Sequence, residues 1–584
     1  MASQSLVELC GRLVPAEHGG PPAWLIASQV EAFVARLPRH AQFAFRAGVL
    51  AAGRSSQAFD AVKTVVLLVA GAEAGAVELA AWSDAMPVAR PDPALDVTPA
   101  GQWPASVRCD VVVIGSGVGG ASVARTLARA GLDVVVVEEG RRFTVHDFRR
   151  RHPLDRWIEL YRDGGSTVTL GRPSILLPIG RAVGGTTVVN SGTCYQTPGR
   201  VLSRWRDRDG LVMADPAEIG PYLDDAWRTL APDRVLPTVM GRNGELTLAG
   251  AAKLGWMAGP LDHSAVHCGG CCQSAIGCVQ NAKGSVHLTV LPDACDAGAR
   301  IVSEARVERV LHEEGRATGV VISRFDGART RILAPRVVVA AGATETPTLL
   351  RRSGLGRHPS LGRNLSIHPA LAVLARFEEP VTSWRGVLQS AGIEEFHRSE
   401  GILIEATSAP FGMGWSAFPG SGERLMKELD RAEQYGSLGA MIADSSVGRV
   451  LGKDRAFVTY QLTPGDGRRL LRAYELIGEV LFAAGAVEVV AGSGFVRSQD
   501  ELRGAVQRMD PRRLHLAAFH PVGTVRAGAN PQRSPVAGDG RLRGVRGVWV
   551  ADASILPSCP EVNPQVTIMA LALAVADRIA SGTL

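Results

Sequence analysis

The sequence lacks the features that would place it in a membrane, in a secreted disulfide framework or on a nucleic acid. The apolar stretches at 64–82 and 566–576 are either interrupted by glutamates or too short for a span, which needs about 20 residues. Nine cysteines are an odd number, and the N-terminus has neither a basic region nor a long apolar core. The net charge of +6 is small for 584 residues and indicates no nucleic-acid partner. We therefore expect a soluble cytoplasmic protein and leave open a peripheral contact with a membrane.

What the sequence does contain is an ordinary globular composition, with 46% hydrophobic and 21% charged residues. A chain of this length exceeds what one hydrophobic core supports, so we expect at least two domains. Apolar residues recur at helical spacing before a proline-rich linker at 86–104. Buried-strand patterns then occur at 109–140, 336–347 and 546–557. Because these segments are far apart, they predict a parallel sheet assembled from discontinuous pieces.

A glycine-rich turn after the first of these strands predicts a dinucleotide site. Gly115, Gly117 and Gly120 form the pattern G-x-G-x-x-G between a strand and an amphipathic helix, and Glu138 ends the next strand. The glycines permit a tight turn, approach of the backbone to a pyrophosphate and close packing of helix on strand. The N–H groups and the positive dipole end at the start of the helix favour the anionic pyrophosphate. Glu138, with Glu139 as the alternative, would bind the adenosine ribose. This pattern alone does not separate NAD from FAD.

Two further motifs favour FAD over NAD, because they resemble the motifs of a family of flavin enzymes. The segments GRAVGGTTVVNSG (180–192) and GATETPTLLRRSGLG (342–356) resemble the signature motifs of the glucose–methanol–choline (GMC) family of flavin oxidoreductases. The second segment matches the family pattern at every constrained position. The first departs after Asn190, because Cys194 stands where the family favours an aromatic residue or alanine. The resemblance extends over about residues 106–584.

The resemblance implies FAD as the cofactor and indicates which residues contact it. Flexible glycine backbone suits a flat ring, and hydroxyl and amide side chains suit its polar edge. The implied contacts are Gly184 and Gly185 against the ring, Thr186, Thr187 and Asn190 at its edge, Asp552 and Ala553 near the ribityl chain and pyrophosphate, and the backbone around Val307 at the adenine.

Two C-terminal segments resemble the active-site pair of the family. His520 lies in FHPVGTVRAG (519–528) and Asn563 in PEVNPQVTIMA (560–570). A neutral imidazole suits removal of the hydroxyl proton while hydride leaves the carbon, and the Asn563 amide can donate to the substrate oxygen. Some family members carry a second histidine at the asparagine position, so the division of labour stays open. His368 resembles part of a family loop near the flavin, and we expect a structural role for it.

The implied activity is FAD-dependent oxidation of an alcohol to an aldehyde or ketone, with oxygen or another acceptor taking the electrons. The N-terminal extension and a Cys-rich segment resemble the long-chain alcohol oxidase-like branch, so we expect a long-chain or bulky apolar alcohol. Three alternatives remain. They are a dehydrogenase with an iron–sulfur cluster, a GMC-fold lyase that keeps FAD without redox turnover, and a non-catalytic electron-transfer subunit.

The Cys-rich segment HCGGCCQSAIGC (267–278) holds four of the nine cysteines. The spacing of Cys271, Cys272 and Cys278 resembles that of GMC dehydrogenases which bind an iron–sulfur cluster through thiolates, and Cys268 would be a spare or a fourth ligand. A disulfide or redox thiol pair and a purely structural loop remain open. A zinc site fits poorly unless His267 joins.

Taken together, we expect an α/β chain (α+β overall) with a Rossmann-like FAD-binding domain, a substrate domain and an N-terminal helical extension. The extension covers 1–100. The expected FAD-binding segments are 106–205, 281–365 and 531–584. A substrate or cap region with the Cys-rich loop covers 206–280, and a substrate-binding domain with an antiparallel sheet covers 366–530.

Overall fold

The computed structural model describes residues 3–324, 327–445 and 447–582. A six-stranded parallel sheet forms one centre, and its strands, numbered in chain order, are β1 Val97–Pro99, β3 Val111–Ile114, β4 Val134–Val137, β9 Arg300–Ser303, β13 Arg336–Val339 and β24 Val548–Val550. Their order is β1-β9-β4-β3-β13-β24. Every residue of β3 and β4 is buried valine or isoleucine, which is typical of central strands covered on both faces. The predicted discontinuous parallel sheet is confirmed.

Except for Val145–Arg150 and Pro153–Leu160, which pack into neighbouring clusters, the helices around this sheet pack into its hydrophobic core. They are α5 Val118–Arg129, α6 Val145–Arg150, α7 Pro153–Leu160, α8 Gly199–Asp209, α9 Pro216–Leu230, α12 Val286–Thr289, α13 Leu291–Asp296, α14 Gly342–Arg352 and α19 Gln565–Ala580. The apolar α19 is buried along nearly its whole length between α5 and α9. Leu223 and Ala226 of α9 lie in the same core. Residues 216–230, which the sequence analysis groups with the cap, therefore pack in the parallel-sheet domain, because the apolar face of α9 is covered by α19.

A second domain is built on a largely antiparallel sheet, as expected. Its strands are β5 Ile175–Leu176, β7 Ala258–Pro260, β15 Ala370–Arg376, β16 Gln389–Ile393, β17 Ile402–Thr407, β18 Tyr435–Ile442, β21 Glu488–Ala491, β22 Gly494–Val496 and β23 Leu516–Ala517. The associated helices are α10 Pro237–Met240, α11 Arg242–Leu254, α15 His397–Glu400, α16 Glu423–Leu429, α17 Pro464–Ala483 and α18 Gln499–Gln507. Of these, α11 and α17 pack against each other and against the sheet.

Three small sheets complete the two domains. One has the order β10-β11-β12-β2, with β10 at Arg306–Glu313, β11 at Arg316–Ser323, β12 at Arg329–Leu333 and β2 at Ser106–Arg108. The other two join β14 Arg363–Leu365 to β19 Gly448–Leu451 and β20 Phe457–Thr459, and β6 Asp233–Arg234 to β8 Asp262–His263.

The N-terminal extension is a helical layer formed by α1 Gln4–Leu13, α2 Ala23–Ala35, α3 Arg39–Ala51 and α4 Ser56–Ala85, and its core is continuous with buried residues of the antiparallel-sheet domain such as Tyr435 and Val490. Lys63 fixes it to the antiparallel-sheet domain by donating hydrogen bonds to the carbonyls of Phe418 and Gly420, each at 2.7 Å. By length and composition, α4 is the one described helix that could cross a membrane, but Val66 and Leu67 lie in the extension core. Residues 97–99 differ from the expected helical boundary, because β1 adds an edge strand to the parallel sheet.

Candidate active site and cofactor-binding region

The first glycine turn, between β3 and α5, provides an open helix N-terminus. Gly115 has a φ of +102°, and a Cβ at Gly120 would collide with the carbonyl oxygen of Gly115. Gly117 precedes α5, and no side chain caps that helix. A Cβ at Gly117 would have its nearest neighbour 3.9 Å away, at the Cα of Gly185. Uncapped N–H groups beside a position without a side chain fit the pyrophosphate of FAD.

Glu138 joins this turn to the second motif and does not point freely outward. Its buried carboxylate accepts hydrogen bonds from the Ser116 hydroxyl at 2.6 Å and from the backbone N–H groups of Ser116 at 3.0 Å and Gly140 at 2.8 Å. Burial raises the pKa of Glu138, and these hydrogen bonds oppose that rise. The N–H of Gly184 donates to the same Ser116 hydroxyl at 2.9 Å. One carboxylate therefore fixes the relative position of two turns predicted to contact FAD.

Glu139 faces a separate charged cavity of about 230 Å³. Burial raises the pKa of Glu139, but the ion pair with Arg162 at 2.8 Å and the nearby Arg181 and Arg306 together outweigh it and lower the pKa to about 2. The cavity is also lined by Arg306, Thr344 and Glu345, beyond the carboxyl ends of β4 and β13. This edge of a parallel sheet is where dinucleotides bind, so the cavity suits the adenosine half of FAD.

In the second motif, the predicted polar side chains differ in exposure, and each has a hydrogen-bond partner within the protein. The buried Thr187 hydroxyl donates to the Gly184 carbonyl at 2.6 Å and accepts the N–H of Val286 at 3.1 Å. Thr186 is exposed, and Gly185 has a φ of +56°. A Cβ at Gly185 would lie 2.7 Å from the Cα of Gly117, so the two glycine turns are in contact. Thr187 therefore stabilises the loop, whereas the hydroxyl of the exposed Thr186 accepts the N–H of Gly180 at 3.3 Å.

Asn190 ends this loop and contacts the C-terminal segment. Its amide donates to the side chain of Gln565, two residues after Asn563. The buried Lys283 donates to the carbonyls of Asn190 at 2.6 Å and Val188 at 2.9 Å. Burial lowers the pKa of Lys283 to about 7. The sequence analysis did not select Lys283, because a lysine that binds backbone carbonyls has no local pattern.

His287 is a second group that the sequence analysis missed. Both of its ring nitrogens are buried without a hydrogen-bond partner among the described residues, and a Cβ at Gly184 would lie 3.2 Å from its Nδ1. Burial lowers the pKa of His287 to about 3. An unpaired imidazole behind the flavin motif fits a site completed by a polar ligand.

Asp552 and Val307 are already engaged within the protein. The buried Asp552 carboxylate accepts the N–H of Gly342 at 2.8 Å and the hydroxyl of Thr346 at 2.5 Å, which ties the end of β24 to the start of α14. Burial raises the pKa of Asp552 against these hydrogen bonds. The carbonyl of Val307 accepts a hydrogen bond from Arg352 at 2.8 Å. Both residues shape the predicted nucleotide site through backbone contacts.

His520 and Asn563 are the two residues that the sequence predicts for the active site. Burial lowers the pKa of His520 to about 4, so its imidazole is neutral at pH 7 and can accept a proton. Three residues further on, the N–H of Gly523 donates to the carbonyl of Ala553 at 3.0 Å, which attaches the histidine segment to the FAD-binding domain. Asn563 is 6% exposed, and its Oδ1 has no partner among the described residues.

His368 contacts His520 directly, which the expected structural role did not include. The Nδ1 atoms of the two rings are 3.3 Å apart. The Nε2 of His368 contacts the Sγ of Cys559, and its backbone N–H donates to Asp444 at 3.3 Å. Among the described residues, His368, Asp444 and Cys559 are the one group of three potential ligands whose atoms lie within 4.8 Å of one another.

The Cys-rich loop contains free thiols, so the disulfide alternative is not formed here. Burial raises the pKa of Cys271 and of Cys272, and the neighbouring Cys278 and Cys268 raise that of Cys271 further. Within the described chain, no three of these sulfurs lie within 4.8 Å of one another. A Cβ at Gly277 would collide with the ring of Phe148, so the loop packs tightly on α6.

Comparison with known protein families gives matches to three parts of the chain. Two sequence profiles described as GMC oxidoreductase match residues 157–370 and 445–572. A profile described as pyridine nucleotide-disulphide oxidoreductase matches residues 109–157, which include the first glycine turn.

Individual relatives extend these matches over most of the chain. An uncharacterized GMC-type oxidoreductase of Mycobacterium tuberculosis is 53% identical over 99% of this chain and 97% of its own length. A long-chain-alcohol oxidase of Arabidopsis thaliana is 30% identical over 81% of this chain and 67% of its own length. The solved structure of pyridoxine 4-oxidase from Mesorbium loti aligns with a TM-score of 0.63 and 20% identity over 80% of this chain and 99% of that chain.

Proposed function

The chain belongs to the GMC oxidoreductase family, and we propose that it oxidises a long-chain or bulky apolar alcohol to an aldehyde or ketone with FAD. The observation that carries this proposal is the partly buried imidazole of His520, which is neutral at pH 7 and lies in a segment attached to the FAD-binding domain at Ala553. The Oδ1 of Asn563, which has no hydrogen-bond partner among the described residues, supports this side chain as a second polar group for the substrate.

The residues that would hold FAD are the two contacting glycine turns, Glu138 and the cavity beside Glu139. When bound, FAD supplies the acceptor for the hydride that leaves the alcohol carbon. The Nε2 of His520 takes the hydroxyl proton, so the substrate loses one proton and one hydride and becomes a carbonyl compound. The Asn563 amide donates to the substrate oxygen and orients it as negative charge develops there.

Support for an apolar substrate comes from one relative and one exposed side chain. The Arabidopsis relative is described as a long-chain-alcohol oxidase. Phe519 directly precedes His520 and is 53% exposed, so an apolar surface is available beside the imidazole. The electron acceptor in this proposal is oxygen or another oxidant. A cytoplasmic protein with peripheral membrane contact remains part of the proposal, supported by the exposed Phe43 and Leu50 on α3.

Anaerobic flavin reduction by a panel of aliphatic, steroid, aromatic and sugar alcohols tests this function. We expect long-chain alcohols to bleach the flavin of the wild-type protein. His520→Ala should retain FAD but slow bleaching about 10²–10⁴-fold. The exposed His515, changed to Ala, is the matched control and should reduce normally. If alcohol reduces the flavin of His520→Ala at the wild-type rate, His520 is not the base. If no alcohol bleaches the flavin of the wild-type protein, the lyase alternative is favoured.

An iron–sulfur cluster in the Cys-rich loop is a second candidate, supported by the charges around the thiols. Arg156 is 0% exposed beside Cys271, and Lys283 is buried beside Cys278. Among the described residues, no carboxylate forms an ion pair with either cation, and thiolate ligands would supply the missing negative charge. Iron and acid-labile sulfide, measured after anaerobic purification, test this candidate. A protein with full flavin and no iron refutes it.

A further inference from the structure

Four buried side chains lie behind His520, and none of them has a role in the proposed reaction. His368 packs edge-to-face on His520, with ring centroids 5.3 Å apart and an interplanar angle of 82°. Cys559 contacts the other ring nitrogen of His368, and the Ser366 hydroxyl lies within hydrogen-bonding reach of that thiol. Ser366 donates to the carboxylate of Asp444 at 2.5 Å. All four side chains are largely inaccessible to solvent.

The carboxylate at the inner end determines the direction of each hydrogen bond. Asp444 accepts from the Ser366 and Tyr460 hydroxyls and from the N–H groups of Ile367 and His368. Since the Ser366 hydrogen points at Asp444, its oxygen can accept from the Cys559 thiol. Burial raises the pKa of Cys559 well above its ordinary value, so the thiol keeps that hydrogen.

The same reasoning extends to the two imidazoles. With the thiol hydrogen directed at the Ser366 oxygen, the sulfur of Cys559 is free to accept the Nε2–H of His368. A neutral His368 with its hydrogen on Nε2 has a free lone pair on Nδ1. That lone pair faces the Nδ1 of His520, which must therefore carry the hydrogen that joins the rings.

We propose that Asp444, Ser366, Cys559 and His368 form a relay of hydrogen bonds that positions His520 with its proton on Nδ1, leaving Nε2 as the base. This proposal rests on the proposed function, because it deepens the role of His520. When Nε2 accepts the hydroxyl proton, His520 becomes an imidazolium whose Nδ1–H still donates to His368. No bond in the relay reverses and no proton leaves it, so the charge balance requires no further reactant.

The backbone of the His368 segment supports this arrangement. His368 has a φ of +52°, a conformation that residues other than glycine adopt rarely. The hydrogen bonds from Ile367 and His368 to Asp444 stabilise that turn. The same four hydrogen bonds occupy the lone pairs of Asp444, which favours a relay over a metal ion at this cluster.

Variants of Cys559 separate a hydrogen-bonding role from simple packing. Cys559→Ala removes the acceptor for His368, and we expect the limiting rate of flavin reduction to fall about tenfold or more. The apparent dissociation constant of the alcohol should change less than about threefold, because Cys559 does not contact substrate in this proposal. Cys559→Ser keeps a group that both accepts and donates, so it should restore the rate to within about threefold of wild type. The buried Cys10, in the N-terminal extension, provides the matched control Cys10→Ala.

These measurements use the FAD-loaded protein, with flavin occupancy and melting temperature recorded for each variant. A wild-type rate for Cys559→Ala, or equal losses for Ala and Ser, overturns the relay. If the Cys559 variants do not fold, Ser366→Ala tests the next link and should also lower the limiting rate. A stoichiometric transition metal that is present in the wild-type protein and lost in Cys559→Ala likewise overturns it. If alcohol reduces the flavin of His520→Ala at the wild-type rate, the proposed function is contradicted. Failure of the relay and failure of the proposed function are therefore distinguishable.

Discussion

The hydroxyl of Ser116 donates to the carboxylate of Glu138 at 2.6 Å, and this bond connects the two glycine turns of the cofactor region. Because the hydroxyl also accepts the N–H of Gly184, Ser116→Ala leaves a buried donor unpaired. We expect a loss of about 1–3 kcal/mol in the free energy of unfolding and lower FAD occupancy. Ser122→Ala, on the helix that follows the turn, is the control, because that hydroxyl bonds only back to the Val118 carbonyl. Equal occupancy in both variants would show that Ser116 does not position the turns.

Two alanine substitutions in the first turn should have different effects. Gly117→Ala has room within the protein, so the melting temperature without FAD should stay near wild type while FAD binding weakens. Gly120→Ala forces a side chain against the Gly115 carbonyl and should cost about 1–3 kcal/mol of folding free energy. Thermal unfolding and FAD titration of the apoprotein measure both effects. Tight FAD binding by Gly117→Ala would place the cofactor elsewhere.

Asn563→Asp should preserve the shape of the side chain but remove its amide donor. We expect kcat/KM for the alcohol to fall about 10²–10³-fold while FAD stays bound, because donation to the substrate oxygen is strongest in the transition state. Asn530→Asp, at an exposed position, is the control. Steady-state kinetics with the best alcohol of the panel measure both. A wild-type kcat/KM for Asn563→Asp rejects the proposed role.

The stability of the protein should decrease in mild acid. Burial lowers the pKa of His263 and of His520 to about 4 and that of His287 to about 3, from an ordinary value of about 6.5. As pH falls from about 6.5 to 4, the unfolded chain therefore binds more protons than the folded chain. The free energy of unfolding decreases across that range, because protonation of these histidines favours the unfolded chain.

Thermal unfolding at pH 7 and pH 5 checks this dependence. We expect a lower melting temperature at pH 5 and a smaller difference in His263→Asn. The variant of the exposed His515, His515→Ala, should retain the wild-type difference. An unchanged melting temperature in the wild-type protein would show that these histidines do not control its acid stability.

Several features of the fold were readable from local sequence because each depends on neighbouring residues. The valine runs of β3 and β4 and the glycine spacing between β3 and α5 specify a strand–turn–helix unit without distant contacts. The two boundaries that differ from the expectation, at residues 97–99 and 216–230, depend instead on contacts between distant parts of the chain. The edge strand β1 is three residues long and exists only through pairing with β9, and the core position of α9 depends on α19.

By itself, the sequence determined the family and the glycine-rich turn between β3 and α5, and it predicted the two segments of His520 and Asn563 as the active site, since motif spacing expresses local backbone geometry. Only the tertiary structure decided what the polar groups contact. Glu138 and Asp552 engage backbone N–H groups of other turns, and Lys283 anchors the flavin motif. His368 meets His520 across 152 residues of sequence. Such contacts depend on how whole domains pack, and buried polar groups must find partners wherever the folded chain supplies them.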